Sequence, residues 1–532
     1  MTPRPPAGAP SLRAPLFWGG LLTTAVWRLF LMQRFYGWEE SDYGNYAMIR
    51  GVLEGNFLHY DMNHMPGYYA LGALVLAFID DTVLAARGVS MLGGLIAWSL
   101  SVLLANRLFG LWAAILTGAM LCFQPEFALY TASSLREPVY AAWVLGSLWA
   151  LLEKRWWLAG TLAAGAFSVR FDAMVSLLPG LGLGLIQGAG TNRVELWRAF
   201  VRCFAVPVCA VFAWSAYCQV EFGTWQFWSH SVGVNIETGG SEAGQSVLDR
   251  GLAGTKVVMG LSGWLLPWRM GWGLWLCLLV GLASLAWLRS DPRRVLGAYA
   301  VGLGGFWLLI GFTAQHEPSH NLYWKWMFPL IPVFMPIAVG NLLLVGDRVR
   351  RKWGNYTALA AVGLVLAQAL FSYGMETNRQ IQRSVEWYLP QLALGRWVEA
   401  NVPEDQHLVL DNIPERWIRR NVSERKLTSW FDVPSTPGDP KAFAAWIRAE
   451  QVRWVLWFRE DWTQAPSIAP FLAQGGQFQS EGVLLREVDR DDAYGWIFFQ
   501  VEVDGNAGLL PAPLPGLGRK GLAEGENLAP AH

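Results

Sequence analysis

The sequence predicts an α-helical polytopic membrane protein with about eleven transmembrane helices, followed by a small C-terminal α/β domain. Hydrophobic residues make up 53% of the 532-residue chain and charged residues only 15%, whereas soluble domains carry about 25% charged residues. Long apolar runs recur up to about residue 373, and short strand-like runs then alternate with helical ones. The 31 tryptophans are typical of aromatic rings at membrane–water interfaces.

The overall charge and the cysteines argue against a nucleic-acid partner and a cysteine-bound metal. The formal net charge is zero, so it indicates no nucleic-acid partner. The five cysteines lie in apolar runs without metal-ligand spacing, and we interpret them as lipid-facing or core-facing residues.

The first apolar run is predicted to be a retained membrane span and not a signal peptide. It follows Arg4 and Arg13, is long for a signal sequence, contains Arg28 and is not followed by a small-residue cleavage site. Two shorter apolar segments, 67–79 and 257–268, are predicted to be re-entrant or interfacial helices. The predicted spans are 16–34, 88–105, 108–124, 139–152, 158–169, 173–187, 203–219, 271–288, 295–313, 326–345 and 355–373.

The orientation follows from lysine and arginine in the short connections, which favour the cytoplasmic side. Compact basic connections, such as the one holding Lys154 and Arg155, alternate with longer, acid-rich ones. The pattern predicts an integral protein of the inner or plasma membrane whose acid-rich connections lie outside. The predicted regions are a cytoplasmic N-terminus (1–15), a transmembrane domain (16–373) whose first outer loop (35–87) carries juxtamembrane helices, an extracytoplasmic α/β domain (374–504) and a disordered tail (505–532).

The C-terminal domain is predicted from short alternating elements. Residues 378–402 read as a helix with a partly apolar face, and a second helical run, DPKAFAAWIRAEQ, separates strand-like segments. The predicted strands are 407–410, 452–458, 483–488 and 496–503.

Ionisable residues gather in the connections predicted to lie outside. Such residues are costly at membrane depth, so they usually face protein or a water-filled cavity. Their common side predicts a cavity open to the outer leaflet. They are Glu39, Glu40, Asp42, Asp61 and His64 in the first connection, Arg136 and Glu137 in the second, Arg170 and Asp172 in the third, Glu221 and His230 in the fourth, and His316, Glu317, His320 and Lys325 in the fifth.

A cavity of this kind suits sugar transfer from a lipid phosphate. A carboxylate can take the proton of an acceptor hydroxyl, and a cation can hold the phosphate leaving group. Aromatic rings can stack on sugars and an apolar groove can hold a lipid tail. Candidates for substrate binding are Tyr43, Tyr46, Tyr68 and Asp172.

Each candidate has a structural alternative. Glu39 and Glu40 could begin a solvated interfacial helix, and Glu137 could be the N-terminal charge of its span before Pro138. Arg170 and Asp172 could form a buried structural pair, and His64 could be an interfacial histidine. His316 and His320 have the i, i+4 spacing of a metal pair, although Pro318 lies between them; a divalent metal ion is therefore a candidate cofactor, with His64 and His316 as candidate ligands.

Four passages, in order, resemble one family. They are EESDYGNYAMIRGVLEGN followed by MPGYYAL, then SSLREPVYAAW, LAGTLAAGAFSVRFDAMVSLLPG and HEPSHNLYWKWMFPLIPVFMPIA. Together they resemble the polytopic, polyprenyl-phosphate-sugar-dependent glycosyltransferases of the GT-C fold, in the branch of the lipid A aminoarabinose transferase and the protein O-mannosyltransferases. The resemblance covers about residues 16 to 500.

The resemblance implies an inverting transferase with a first-loop carboxylate as its catalytic base. The family pattern acid-x-x-x-Tyr fits both Glu39 with Tyr43 and Asp42 with Tyr46, so Asp42 is preferred and Glu39 and Glu40 stay open. It further implies Glu137 as a second acid, and Arg170 or Lys325 as contacts of the donor phosphate. One departure is that relatives carry an acidic and a basic residue before the re-entrant proline, where this chain has His64 and Met65.

The predicted function is transfer of one sugar from a polyprenyl-phosphate donor to a lipid, glycan or protein acceptor at the outer face. A transporter or flippase of a lipid-linked or anionic solute is an alternative, although its ionisable residues are expected nearer the bilayer midplane and in repeated halves. An outer-face glycan ligase or polymerase and a non-catalytic scaffold are further alternatives.

Overall fold

The computed structural model is mostly helical and groups into two compact units. The first unit comprises residues 1–38 and 51–381, and the second comprises residues 39–50 and 382–532. The structure describes residues 14–37, 40–55, 65–171, 173–189, 192–225, 270–285, 292–313, 328–402, 405–410, 427–429, 440–458, 478–491 and 496–503.

The described helices follow the apolar runs of the sequence. Every predicted span coincides with a helix, and the predicted re-entrant segment 67–79 forms α3; segment 257–268 lies outside the described residues. The helices are α1 (Ala14–Arg34), α2 (Glu40–Leu53), α3 (Pro66–Ile79), α4 (Thr82–Phe109), α5 (Leu111–Phe123), α6 (Pro125–Ala132), α7 (Glu137–Leu152), α8 (Trp156–Val169), α9 (Ala173–Gly188), α10 (Arg193–Phe222), α11 (Trp272–Leu285), α12 (Pro292–Thr313), α13 (Leu330–Trp353), α14 (Asn355–Asn401) and α15 (Pro440–Ala449).

Not every apolar helix is long enough to cross a bilayer unaided. Within the described ranges, five helices have the length and hydropathy of a membrane span, or six if α5 and α6 together form one bent span. Those five are in α1, α4, α10, α13 and α14. Other apolar helices, such as α3, α7 and α8, are shorter than the roughly 20 residues that a span needs. These helices mark the chain as an integral membrane protein, and the figure of about eleven spans stays a prediction.

The break between α5 and α6 is a feature that hydropathy did not predict. The two helices meet at 62°, because Pro125 has no N–H to donate to the carbonyl of Leu121 and ends α5. Buried Arg28 of α1 supplies the missing donors: its Nη1 donates to the Cys122 carbonyl oxygen at 2.8 Å and its Nη2 to that of Leu121 at 3.2 Å. The Arg28 side chain therefore faces protein.

Close helix contacts depend on glycine. The Gly-rich run after Pro179 is part of α9, and a Cβ at Gly302 of α12 would lie 2.6 Å from the Cα of Gly180. The two helices touch backbone to backbone there, so the glycines serve helix packing.

The second unit contains a six-stranded mixed sheet in the order β2-β1-β3-β6-β5-β4. Strands β1, β2 and β3 pair in parallel, and the remaining pairs are antiparallel. All four predicted strands are present. The strands are β1 (His407–Leu410), β2 (Leu427–Ser429), β3 (Val452–Phe458), β4 (Phe478–Ser480), β5 (Val483–Asp491) and β6 (Trp496–Val503).

Both faces of this sheet are covered, because successive side chains of a strand point to opposite sides. Leu408 and Leu410 pack with Leu394 and Val398 of α14 on one face. On the other face, Val409 packs with Phe443 of α15 and with the adjacent strands. The result is a helix–sheet–helix arrangement within the second unit.

The division between the units falls inside a helix. Helix α14 has 47 residues and continues past position 373, where the sequence predicted the transmembrane domain to end. Within this helix, the first unit ends at Ile381 and the second unit begins at Gln382. The predicted tail, 505–532, lies outside the described residues.

Candidate active site

A buried ion pair links the start of α7 to the end of α8. Glu137 is the first residue of α7, and the next residue, Pro138, is well suited to the first turn of a helix. Arg170 follows the last residue of α8 in extended backbone. Arg170 Nη1 donates to Glu137 Oε1, and the two side chains are 4% and 1% exposed. Each charge offsets the desolvation of the other.

Tyr140 joins this pair to α9. The Arg170 guanidinium carbon lies 5.9 Å from the centre of the Tyr140 ring, one turn beyond Glu137. The Tyr140 hydroxyl lies 2.8 Å from Ser176 Oγ on α9. Arg170 therefore contacts a carboxylate and an aromatic face, and its orientation is fixed by three helices.

Two polar atoms of residues at the start of α7 are buried without a partner. Glu137 Oε2 and Arg136 Nη1 have no hydrogen-bond partner anywhere in the described ranges. A buried polar group without a partner costs about 1–3 kcal/mol, so such atoms call for an explanation. The carboxylate oxygen can accept a proton or a hydrogen bond from a hydroxyl, and the guanidinium can donate to an anionic oxygen.

Helix α4 holds the start of α7 in place. A Cβ at Gly93 would lie 2.7 Å from both the backbone nitrogen and the Cα of Val139. Ser90 Oγ donates to the Leu135 carbonyl oxygen at 2.6 Å. The fully buried Tyr68 hydroxyl donates to the Ala86 carbonyl oxygen at 3.1 Å and lies 3.0 Å from Ser90 Oγ. Tyr68 is thus linked through Ser90 to the segment that precedes Glu137.

Helix α3 also packs beside Arg170. A Cβ at Gly67 would lie 2.4 Å from Ser168 Oγ and 2.7 Å from the Ser168 carbonyl oxygen, two residues before Arg170. The first turn of α3 and the end of α8 are therefore in backbone contact. Three of the predicted site residues, Tyr68, Glu137 and Arg170, meet in this part of the first unit.

The other predicted residues lie in the second unit or outside the described residues. Residues 39–50 group with the second unit; there α2 carries Glu40, Asp42 and Tyr43, whose side chains are not described, and Tyr46, which is 1% exposed. Asp42 and Tyr46 lie one helical turn apart. The candidates that lie outside the described residues are Glu39, His64, Asp172, His316 and Lys325.

Sequence reasoning did not single out Glu126, and it named Arg136 without a role. Glu126 is 1% exposed on the short helix α6, and Gln124 Nε2 donates to its Oε2. A carboxylate in a run of otherwise apolar residues directly after Pro125 was the available signal. Among the described residues, no three histidine, cysteine, aspartate or glutamate side chains are grouped so that they could hold a metal ion.

Comparisons with known proteins reveal the fold. No family model and no curated protein sequence matches the chain. Solved structures do match. ArnT from Cupriavidus metallidurans bound to undecaprenyl phosphate is 14% identical, with a TM-score of 0.59 over 91% of this chain and 97% of ArnT. ArnT in the apo state is 15% identical, with a TM-score of 0.60 over 93% and 99%.

A second type of protein shares the architecture. An Archaeoglobus fulgidus oligosaccharyltransferase, tethered to an acceptor peptide containing the NVT sequon, is 14% identical, with a TM-score of 0.56 over 92% of this chain and 74% of its own. The chain therefore has the GT-C fold of these proteins, and the fold implied by the four sequence passages is confirmed.

Proposed function

We propose that this protein is a membrane glycosyltransferase that moves one sugar from a polyprenyl-phosphate donor to a lipid, glycan or protein acceptor at the outer face. One observation carries the proposal: the buried Glu137–Arg170 pair, with an unpartnered carboxylate oxygen on Glu137 and an unpartnered N–H on the neighbouring residue Arg136, inside the GT-C fold. ArnT, which shares that fold, was solved with undecaprenyl phosphate bound. A polyprenyl-phosphate sugar is the corresponding donor for this chain.

The reaction is a single displacement with inversion at the anomeric carbon. A first-loop carboxylate removes the acceptor proton as the hydroxyl attacks, and the polyprenyl phosphate leaves. Asp42 is the preferred base, with Glu39 and Glu40 as alternatives. Glu137 is the second acid, and its free oxygen binds a hydroxyl of the sugar or of the acceptor.

Cationic side chains stabilise the leaving phosphate, on which negative charge develops. Lys325 and Arg170 are the contacts that the sequence suggests. A guanidinium has five N–H groups, so Arg170 can hold Glu137 and still donate to a phosphate oxygen. Arg136 joins them because its Nη1 is unpartnered. The proposed substrate contacts are Tyr43, Tyr46 and Asp172. Tyr68 positions the start of α7. If a divalent ion takes part, His64 and His316 are its proposed ligands.

The proposed topology places this chemistry outside the cell. Residues 1–15 are cytoplasmic, 16–373 form the transmembrane catalytic domain with about eleven spans, and 374–504 form the extracytoplasmic domain. The basic connections between spans support this orientation.

The test is sugar transfer by the purified protein. Synthetic polyprenyl-phosphate mannose and polyprenyl-phosphate aminoarabinose are incubated with the protein and a membrane extract as acceptor, and release of polyprenyl phosphate is measured. We expect Asp42→Asn and Glu137→Gln each to lower the rate by about 10²–10⁴-fold, the usual contribution of an acid or base. Glu153→Gln, an exposed acid at the opposite end of α7, is the control and should keep full activity.

Two results would reject the proposal. Unchanged transfer in both Asp42→Asn and Glu137→Gln would remove the catalytic assignment. Movement of a labelled lipid-linked solute across proteoliposomes, with no covalent product, would establish a transporter in its place.

A further inference from the structure

Helix α4 is hydrogen-bonded to the end of α1 through Arg87. Its Nη1 donates to the Met32 carbonyl oxygen at 2.8 Å, and its Nη2 donates to the Phe35 carbonyl oxygen at 3.2 Å. The last carbonyls of a helix have no N–H partner within the helix, and a cation there also interacts favourably with the helix dipole. Because both bonds come from one planar guanidinium, they fix the direction in which the chain leaves α1 as well as its position.

Phe35 strengthens this attachment. Its side chain is only 1% exposed, and its N–H donates to the Leu31 carbonyl oxygen at 2.8 Å. Both backbone polar groups of Phe35 are therefore hydrogen-bonded, one residue after α1 ends. In the sequence, Glu39 follows Phe35 by four positions and Asp42 follows it by seven. Arg87 thus holds the segment from which the first outer loop departs.

The next turn of α4 holds a second segment that leads to an acid. Ser90 Oγ, three residues after Arg87, donates to the Leu135 carbonyl oxygen, two residues before Glu137. Residues three apart on a helix lie on the same face. One face of α4 therefore contacts both the segment that leads into the first outer loop and the segment that leads into Glu137, and the helix keeps those two segments at a constant spacing.

We propose that Arg87 is a positioning residue for sugar transfer: through the Met32 and Phe35 carbonyl oxygens, it fixes where the first outer loop begins relative to Glu137. That loop carries the carboxylate base of the proposed function, on which this inference rests. Arg87 acts through the backbone and takes no part in donor binding, so its loss misplaces the base and leaves donor affinity unchanged. A displacement of about 1 Å at a reacting group can lower the rate by about 10²-fold.

Arg293 of α12 offers a matched control. It is a partly buried arginine like Arg87, and its Nε donates to the Leu108 carbonyl oxygen at 2.9 Å, in the last turn of α4. The chain continues from there into α5, which holds none of the proposed site residues. Arg87→Met and Arg293→Met therefore each remove an arginine–carbonyl contact at a helix end, and only the first of these contacts lies next to the first outer loop.

The experiment measures kcat and the donor KM of the purified variants by release of polyprenyl phosphate. We expect Arg87→Met to lower kcat by about 10²-fold with the donor KM unchanged, the pattern of an effect confined to the transition state. Arg293→Met should lower the thermal unfolding temperature by a similar amount and keep the wild-type kcat. Arg87→Lys retains the cation without the planar fork, so its kcat should fall between those of Arg87→Met and the wild type. If Arg87→Met does not fold, Arg87→Lys takes its place.

A double-mutant cycle separates positioning from a general loss of stability. If Arg87 acts through the base, Arg87→Met/Asp42→Asn should be about as slow as Asp42→Asn alone, because a base that is absent cannot be misplaced. Independent effects would instead multiply. Where Glu39→Gln or Glu40→Gln is the variant that stops transfer, the cycle uses that acid.

Three outcomes would overturn the positioning role. They are a wild-type kcat in Arg87→Met, losses that multiply in the cycle, and an equal loss of kcat in Arg293→Met. Each of them leaves the proposed function standing, since the wild-type protein would still transfer sugar. Absence of transfer by the wild type would reject the proposed function and the positioning role with it.

Discussion

At the scale of residues, the Glu137–Arg170 pair contributes to both stability and the proposed chemistry, and the two contributions can be separated. Removing one partner of a buried pair leaves an uncompensated charge and costs about 3–5 kcal/mol. We therefore expect Glu137→Gln and Arg170→Gln each to lower the thermal unfolding temperature of the purified protein clearly. The double variant Glu137→Leu/Arg170→Met replaces the pair with apolar side chains of similar size and should recover most of that loss.

Activity separates the two roles. If the pair takes part in sugar transfer, the double variant is stable but inactive. The control is the exposed pair Arg107–Glu153, whose side chains are 30% and 36% exposed. Glu153→Gln should change stability by less than about 1 kcal/mol, as is usual for surface pairs. A double variant that unfolds as early as either single variant would contradict this account of the pair.

At the scale of elements, glycine sets the distance between α4 and the start of α7. A Cβ at Gly93 would come within 2.7 Å of the backbone of α7. The end of a flexible side chain could move aside, but a helix backbone cannot. Gly93→Ala should therefore push the helices apart and destabilise the protein by about 1–3 kcal/mol, the range for overpacking. Thermal unfolding of the purified variant measures this, and transfer should fall with it because Glu137 moves.

Gly88 provides the matched control on the same helix. A Cβ at Gly88 meets no atom within 4 Å, so Gly88→Ala should be neutral or stabilise the protein by up to about 1 kcal/mol through helix propensity. If both alanine variants behave alike, the close approach of α4 and α7 does not determine stability.

Patterns within one segment predicted the helices and strands, but contacts between distant segments were not predicted. Runs of apolar residues placed α7 and α8, and short strand-like runs placed β1 and β3, because these signals lie within one element. The partner of Arg170 is different. Sequence proximity suggested Asp172, which lies outside the described residues, and it did not suggest Glu137, which the structure pairs with Arg170 from 33 residues away on another helix. No rule of residue spacing predicts a contact between side chains of two different helices.

The bend between α5 and α6 shows the same limit. No helix was predicted between the spans 108–124 and 139–152, and the structure has a further buried helix, α6, there. That helix is stable because Arg28, nearly one hundred residues earlier, satisfies the carbonyls at the end of α5. Hydropathy could detect Arg28 as unusual but could not find its partners.

At the scale of the whole molecule, the proposed reaction requires the second unit to be outside. The connections that carry Lys154 and Lys352 are basic and should face the cytoplasm. Residues after α14, including the sheet of the second unit, should then face outward, on the side where a lipid-linked sugar donor would be used. Helix α14 contains a candidate span, Asn355–Glu386, so its two ends are expected on opposite sides.

Cysteine accessibility tests this orientation directly. In a background without the five native cysteines, single cysteines replace Lys352, at the end of α13, and Asp405, just before β1; both positions are exposed. A membrane-impermeant maleimide applied to intact cells should label Asp405→Cys and leave Lys352→Cys unlabelled, and both should react after the membrane is permeabilised. Lys154→Cys, on another basic connection, should behave as Lys352→Cys does.

Labelling of Lys352→Cys in intact cells, with Asp405→Cys protected, would invert the topology and place the second unit, with the first-loop acids that group with it, on the cytoplasmic side. An outer-face transferase would then be untenable, since its proposed base, Asp42, belongs to that unit.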